Sequence, residues 1–132
     1  MKEKKMNSFR ELTAYQEGKV LIKSVYELLK KFPAEERYAL CDQVRRAVIS
    51  VTSNIAEGTG RVSTKEQIHF MEISYGSLME VLSQMDVSLD LGYITREDFL
   101  QIEAQCNRCA RLISGLRSYL ERSLTTPKPS NP

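Results

Sequence analysis

The sequence contains no uncharged hydrophobic run approaching the roughly 20 residues that a membrane-spanning helix needs. Its charged beginning is not followed by the apolar stretch of about 7 to 15 residues that marks a secretory signal. It has only three cysteines, an odd number at spacings unlike a secreted disulfide framework. These absences predict a cytoplasmic protein with reduced thiols and without a membrane partner.

Net charge is also small, because 19 basic and 17 acidic residues leave +2. A charge of this size does not by itself predict strong nonspecific binding to polyanions, so a basic site must be local. The chain has 132 residues, of which 42% are hydrophobic and 27% charged. This composition predicts one domain whose core needs neither disulfides nor a structural metal.

Motifs that identify a reaction are missing as well. His69 is the only histidine, and the sequence has neither a nucleophile-elbow motif nor a complete phosphate-binding loop. Glu66 and His69 match the Glu-x-x-His spacing of di-iron bundles, but the required second motif is absent. A zinc site built from His69 with Cys41, Cys106 and Cys109 stays an open alternative, although no second CxxC supports it. We predict a protein that is not an enzyme and takes no cofactor.

Proline and glycine divide the sequence into long helical segments. No proline occurs between Pro33 and Pro127, and apolar residues recur at steps of three and four between the breakers. We interpret Gly58 as a left-handed cap that ends the second helix and Gly92 as the end of the third. The predicted helices span about residues 9–31, 34–57, 64–91 and 96–123, between a flexible tail (1–8) and a disordered tail (124–132). Matched helices joined by short loops predict an all-α, up-down antiparallel four-helix bundle.

Polar residues at the predicted helix ends have structural interpretations. Ser63 and Glu66 form the sequence pattern of a capping box, and Thr95 is the predicted N-cap of the fourth helix. Asn54 continues the apolar seam of the second helix, where a polar side chain needs hydrogen-bond partners. We expect Asn54 to brace that helix or to fix its register against a neighbour.

Arginines on two predicted helices lie away from the core. On a helical wheel Arg46 points outward from the second helix and Arg45 lies on its flank. Arg111 and Arg122 fall opposite the core seam of the fourth helix, in a polar strip suited to binding phosphate. Asp42 lies within one turn of both Arg45 and Arg46, so an ordinary solvated ion pair is the alternative interpretation.

Charge is distributed unevenly along the sequence. Residues 1–62 carry 12 basic and 8 acidic groups, residues 63–94 carry 1 and 5, and residues 95–132 carry 6 and 4. The bundle should therefore have an acidic side on its third helix and basic sides on the second and fourth. Such polarity suits nucleic-acid binding, or docking of one subunit's acidic face onto the next subunit's basic face, and solvated surface charge is the third interpretation.

A family resemblance rests on several short motifs. The run Ser53-Asn54-Ile55-Ala56-Glu57-Gly58 is its most specific mark, and the similarity extends from near residue 9 to about residue 120. Other matching residues are Arg45-Arg46-Ala47, Arg61, Ser63, Glu66, Gly76-Ser77-Leu78, Glu80 and Leu91-Gly92-Tyr93. On these residues the sequence resembles the four helix bundle protein family, also called the 23S rRNA-intervening-sequence protein family.

The resemblance implies a small bacterial protein that forms a ring-like homopentamer, with members encoded inside intervening sequences of large-subunit rRNA genes. A related branch, the accessory proteins of diversity-generating retroelements, consists of basic pentamers that bind a reverse transcriptase and nucleic acid. Carried over by position, Arg45, Arg46 and Arg61 are candidates for nucleic-acid binding or assembly. This chain departs from the retroelement branch in its low net charge of +2. The residues that the resemblance marks as structural are Asn54, Glu57 and Gly58.

Two functions follow as hypotheses. The first is a noncatalytic homo-oligomeric bundle that binds RNA or acts as a scaffold. The second is a purely structural assembly module without affinity for nucleic acid. RNA affinity with a steep salt dependence distinguishes the first hypothesis from the second, since phosphate contacts release counterions.

Overall fold

The computed structural model describes residues 8–125, which are helical apart from short connections and contain no strand. A 3-10 helix (Ser8–Glu11) precedes α1, and a second one (Ala34–Glu36) precedes α2. The four long helices are α1 (Thr13–Leu29), α2 (Leu40–Thr59), α3 (Thr64–Asp90) and α4 (Arg96–Thr125). None of the helices in this part of the chain combines the length and apolar character needed to span a membrane.

Side-chain bonds at one end of the bundle show how the helices run. Lys31, just after α1, forms an ion pair of 3.0 Å with Asp98 in the first turn of α4. Tyr93, between α3 and α4, donates a hydrogen bond of 2.9 Å to the Glu36 carboxylate, between α1 and α2. Helices α1 and α3 each pack against both α2 and α4. The predicted all-α, up-down antiparallel four-helix bundle is therefore confirmed.

The core is formed by the apolar seams of all four helices. On α2 the buried residues follow steps of three and four, from Val44 through Val48 and Val51 to Ile55. Each fully buried Val or Ile side chain contributes roughly 1.5–3 kcal/mol to the stability of the fold, relative to an exposed one. The largest buried side chains of the other helices are Leu21, Leu78, Met85, Ile102 and Ile113.

Several helix boundaries differ from the predicted ones. Residues 34–36 form a 3-10 turn, with the Glu36 N–H bonded to the Pro33 carbonyl at 2.9 Å, and α2 begins only at Leu40. The break lies at Ala39, whose φ of −121° and ψ of −99° are not helical. Helix α1 begins at Thr13 rather than residue 9, and α4 continues through Thr125 into the predicted tail. The rest of the predicted tails, residues 1–7 and 126–132, lies outside the described residues.

The prediction that Gly58 is a left-handed cap is wrong. Gly58 is a buried residue within α2, and the helix is capped by Gly60 with φ of −80°. A Cβ atom at Gly58 would lie 2.7 Å from the Cβ of Phe70 and 2.8 Å from the Cε of Met71. Glycine is thus needed here because α3 approaches the α2 backbone closely. The left-handed conformation occurs at Gly92 instead, where φ is +77°.

The caps of α3 and α4 differ in completeness. At α3 the Ser63 hydroxyl accepts a hydrogen bond of 3.2 Å from the Glu66 N–H. At α4 the Thr95 hydroxyl accepts a bond of 3.0 Å from the Asp98 N–H, and the Asp98 carboxylate accepts one of 3.0 Å from the Thr95 N–H. The reciprocal pair of bonds that defines a capping box thus occurs at α4, where the sequence predicted only an N-cap.

Candidate functional site

The five arginines singled out from the sequence do not form one cluster. Arg45 and Arg46 lie on α2, whereas Arg111 and Arg122 lie on the outer face of α4. Because α2 and α4 both pack on α1 and α3, they occupy opposite sides of the bundle. Arg61 follows α2 at the turn to α3, about 22 Å along the helix from Arg46. Two separate basic surfaces result, one around α2 and one on α4.

Lysines of α1 extend the basic surface around α2. Lys19, Lys23, Tyr26 and Lys30 are exposed and follow one another at intervals of four, three and four residues. At 3.6 residues per turn these four side chains share one side of α1. Tyr26 and Lys30 border the same surface depression as Arg45 of α2, which places these two residues next to α2. Sequence reasoning missed these lysines, although their helical spacing is visible in the sequence.

We call this surface the basic face and define it by six cationic residues on α1, on α2 and in the loop between them. It extends about 16 Å along α1, from Lys19 to Lys30. Its members are Lys19, Lys23, Lys30, Arg37, Arg45 and Arg46.

Carboxylates neutralise part of the basic face. The Arg45 guanidinium donates hydrogen bonds to the Asp42 carboxylate at 2.6 Å and to the Arg37 carbonyl at 2.9 Å. The bond to Asp42 raises the pKa of Arg45, which stays charged. Lys30 pairs with Glu27 at 2.9 Å. Within residues 8–125, the members of the basic face that form no ion pair are Lys19, Lys23, Arg37 and Arg46.

Two depressions lie on the basic face. The first has a volume of about 480 Å³ and the second about 310 Å³. Tyr26 and Arg45 border both of them and therefore stand between them. The first is further lined by Arg46, Ile49, Ser50 and Ser53. The second is further lined by Leu29, Lys30, Phe32, Pro33, Ala34, Arg37 and Cys41.

Arg61 has structural partners at the turn between α2 and α3. It pairs with Glu57 at 3.3 Å, and its guanidinium carbon lies 4.7 Å from the centre of the Phe70 ring. The Arg61 carbonyl also accepts a hydrogen bond of 2.8 Å from the Gln67 side chain. Arg61 thus connects the end of α2 to the start of α3, and Glu57 pairs with its guanidinium.

Asn54 belongs to a chain of hydrogen bonds between α2 and α3. Its amide donates to the Ser50 carbonyl at 2.8 Å and to the Ser50 hydroxyl at 2.9 Å. The Ser50 hydroxyl in turn lies 2.8 Å from the Ser77 hydroxyl on α3. The side chain thereby finds the partners that a polar group on this seam requires.

The outer face of α4 forms the second basic surface. Arg111 borders a shallow depression of about 410 Å³ together with Leu12, Gly115 and other residues of α4 and the start of α1. Arg122 is exposed three turns further along the helix. Arg111 shares the depression with the carboxylate of Glu11, and no aromatic side chain lines it.

The residues considered for metal binding do not come together. Cys41, Cys106 and Cys109 are buried, whereas His69 is exposed on α3. Among residues 8–125, no group of three His, Cys, Asp or Glu side chains is arranged to hold a metal ion. Burial raises the pKa of Cys106 to about 12 and that of Cys109 to about 11. Such thiols act as small apolar core residues rather than as nucleophiles.

A further depression of about 450 Å³ lies at the opposite end of the bundle from the α1–α2 loop. Its lining is mainly apolar, with side chains of Leu12, Met71, Leu116 and Leu120. Glu11 is the one charged residue among the described residues that line it. This site offers an apolar surface without the charges that would recognise phosphate.

Residues 10–115 match the model of the family described as 23S rRNA-intervening sequence protein. The chain belongs to this family. All six residues of the basic face lie within the matched range, whereas Arg122 lies beyond it. The family assigned from the short motifs of the sequence is thus confirmed.

The fold of this family member also occurs in a solved structure. It is a protein of unknown function from the S23 ribosomal protein family of Bacteroides thetaiotaomicron VPI-5482. The two share 19% sequence identity with a TM-score of 0.73, over 80% of this chain and 98% of the other. At this identity the comparison establishes the fold alone. No curated protein matches the chain.

Proposed function

We propose that this protein is a noncatalytic, cytoplasmic RNA-binding bundle that contacts phosphates through its basic face. The observation that carries the proposal is the group of exposed cations that lack ion-pair partners within residues 8–125, above all Lys23, Arg37 and Arg46. Unpaired surface cations on one face attract a polyanion and release its counterions on binding.

The arrangement of charge supports a local site despite the low net charge. The α3 region, residues 63–94, carries five acidic groups and one basic group. This region repels a polyanion, whereas the cations of α1 and α2 attract it. The family description refers to an intervening sequence of 23S rRNA. That description makes RNA the polyanion to test first.

The test measures RNA affinity at several salt concentrations with protein freed of nucleic acid. For a single-stranded RNA, the log–log slope of affinity against salt should be about −0.7 for each phosphate neutralised. The double variant Lys23→Ala and Arg46→Ala should weaken binding at least ~10-fold and make the slope shallower by about 0.7 for each phosphate that is no longer neutralised. The matched control, Arg111→Ala on α4, should leave affinity and slope unchanged.

Two results would contradict the proposal. Wild-type protein without RNA affinity at low salt would exclude the function itself. If Arg111→Ala weakened binding while the double variant did not, the phosphate contacts would lie on α4 instead of the basic face.

Self-assembly is a second candidate function, favoured by the acidic and apolar surface of α3. Exposed carboxylates on this helix include Glu72, Glu80, Asp86 and Asp90. Ile73, Met79 and Val87 are also at least 36% exposed there. Docking of this surface onto the basic face of another copy would pair opposite charges. The homopentamer implied by the family resemblance is the assembly to test, and a reverse transcriptase partner stays a further prediction.

Light scattering over a range of protein concentrations tests the second candidate. If assembly uses these charges, Arg46→Glu should lower the mass of the assembly measured by light scattering. Adding Glu80→Lys to this variant should restore part of that mass. A wild-type protein that stays monomeric at every concentration would exclude assembly. A stable oligomer without RNA affinity, dissociated by Arg46→Glu, would instead favour the purely structural role.

A further inference from the structure

Tyr26 has an unusual position on the basic face. Its side chain is 40% exposed and, together with Arg45, borders both depressions. Within the described residues the Tyr26 hydroxyl forms no hydrogen bond. Its partly exposed ring therefore presents a flat apolar surface next to the cations of the two depressions.

Arg45 complements this ring because its guanidinium is held in place. The bonds to the Asp42 carboxylate and to the Arg37 carbonyl fix its orientation beside Tyr26. A planar guanidinium can stack on a base or bind phosphate without losing much further conformational freedom. Unpaired cations lie on both sides of the pair, with Arg37 at the second depression and Arg46 at the first.

We propose that the basic face binds single-stranded RNA, with one unstacked base on the Tyr26 ring and the flanking phosphates on the neighbouring cations. This inference rests on the proposed RNA-binding function and specifies the form of RNA that the face accepts. A row of cations beside an aromatic platform is the arrangement by which proteins bind single strands without sequence preference.

Double-stranded RNA does not fit this arrangement. Its bases are stacked inside the helix, and its surface offers phosphates and 2′-hydroxyls to a protein. The Tyr26 ring could then add nothing to binding, because no base face would be free to contact it. In the first depression the exposed Ser53 hydroxyl is available to the edge of an extruded base, whereas the Ser50 hydroxyl is already bonded to Asn54 and Ser77.

The test compares two variants at Tyr26 with a control at Tyr119, which is 62% exposed on α4. Binding of a 12-nucleotide single-stranded RNA and of a duplex of equal length is measured for each protein. Tyr26→Leu should weaken single-strand binding about 5- to 100-fold, since it removes the stacking surface for one base. Tyr26→Phe keeps the ring and should bind within ~2-fold of wild type, as should Tyr119→Leu.

Two further readouts separate stacking from phosphate contact. The salt slope should be equal for Tyr26→Leu and wild type, because no phosphate contact is removed. A 2-aminopurine placed in the single strand should show the same fluorescence change on saturation with wild type and Tyr26→Phe, and a different one with Tyr26→Leu. Circular dichroism checks that each variant is folded.

The outcomes also separate this inference from the function on which it rests. If wild type binds RNA with a salt-dependent affinity but Tyr26→Leu binds equally well, the stacking site is wrong and the RNA-binding function stands. Equal or tighter binding of the duplex likewise overturns the single-strand inference alone. If wild type binds neither RNA, both proposals are wrong.

Discussion

Gly58 of α2 lies against Phe70 of α3 so closely that a Cβ atom at position 58 would be 2.7 Å from the Phe70 Cβ. The atom that limits this approach is next to the α3 backbone and cannot rotate away. The two helices therefore pack against each other at a point where α2 has no room for a side chain.

Substitution of Gly58 by alanine should destabilise the protein. Overpacking of this kind costs about 1–3 kcal/mol, which exceeds the helix propensity gained from alanine. The matched control is Gly76→Ala in α3, where a new Cβ meets no atom within 4 Å. The control should raise the free energy of unfolding by about 0.4–1 kcal/mol. Urea denaturation of both variants measures the difference, and a gain in stability from Gly58→Ala would contradict the close approach.

Asp98 should make stability dependent on pH at the acidic end. Hydrogen bonds from the Thr95 N–H and then from Lys31 lower the pKa of Asp98 in the folded protein. Its contribution to stability is therefore complete above the unfolded pKa of about 3.9 and is lost as pH falls through the lower folded pKa. Asp98→Asn should lower stability at pH 7 and flatten the decrease below about pH 4.

A matched variant checks that this pH dependence belongs to Asp98. Asp86 is exposed on α3 and forms no hydrogen bond or ion pair within the described residues. Asp86→Asn removes no hydrogen bond or ion pair and should therefore change the free energy of unfolding at pH 7 by less than Asp98→Asn does. An Asp98→Asn profile that runs parallel to that of wild type below about pH 4 would show that the Thr95 and Lys31 contacts do not stabilise the charged carboxylate.

The three cysteines should be unreactive in the folded protein. Cys41, Cys106 and Cys109 are all buried, and burial raises the pKa of each thiol. At about pH 8 a small thiol reagent should modify none of them in the native state and all three after unfolding, since only the exposed thiolate reacts. Rapid native-state modification of Cys106 or Cys109 would show that the side of α4 that carries these two thiols is not buried in the core.

Ser74 should stabilise the contact between α3 and α2. Its buried hydroxyl donates a hydrogen bond of 2.7 Å to the Val51 carbonyl. Ser74→Ala should lower the free energy of unfolding by about 1 kcal/mol, the net value of such a bond. Ser83→Ala, on the less buried side of α3, should be neutral or slightly stabilising because alanine favours helix. Equal effects of the two variants would mean that the bond to Val51 contributes nothing.

The apolar seams were readable from the sequence because helix periodicity is a local property. Apolar residues at steps of three and four predicted the long helical segments, and on α2 the residues at this spacing, Val44, Val48, Val51 and Ile55, are all buried. Local signals also identified the Ser63 cap, whose hydroxyl accepts a hydrogen bond from the Glu66 N–H. Such features depend only on residues within a turn or two of each other.

Gly58 shows why a local signal can mislead. A glycine near the end of a helical pattern is typical of a left-handed cap, but here it accommodates Phe70 of a neighbouring helix. The start of α2 is a similar case. Residues 34–36 favour helix by their sequence, yet they form a 3-10 turn that the Glu36–Tyr93 bond connects to the α3–α4 loop.

For the candidate site, the sequence alone determined which arginines point outward, because the phase of each helix follows from its own apolar seam. Only the tertiary structure decided which outward faces are neighbours. It separated Arg46 from Arg111 by placing α2 and α4 on opposite sides, and it brought Arg46 and Tyr26 of α1 to the same depression. The reason is physical: helix phase depends on local residue spacing, whereas the order of helices around the core depends on long-range packing.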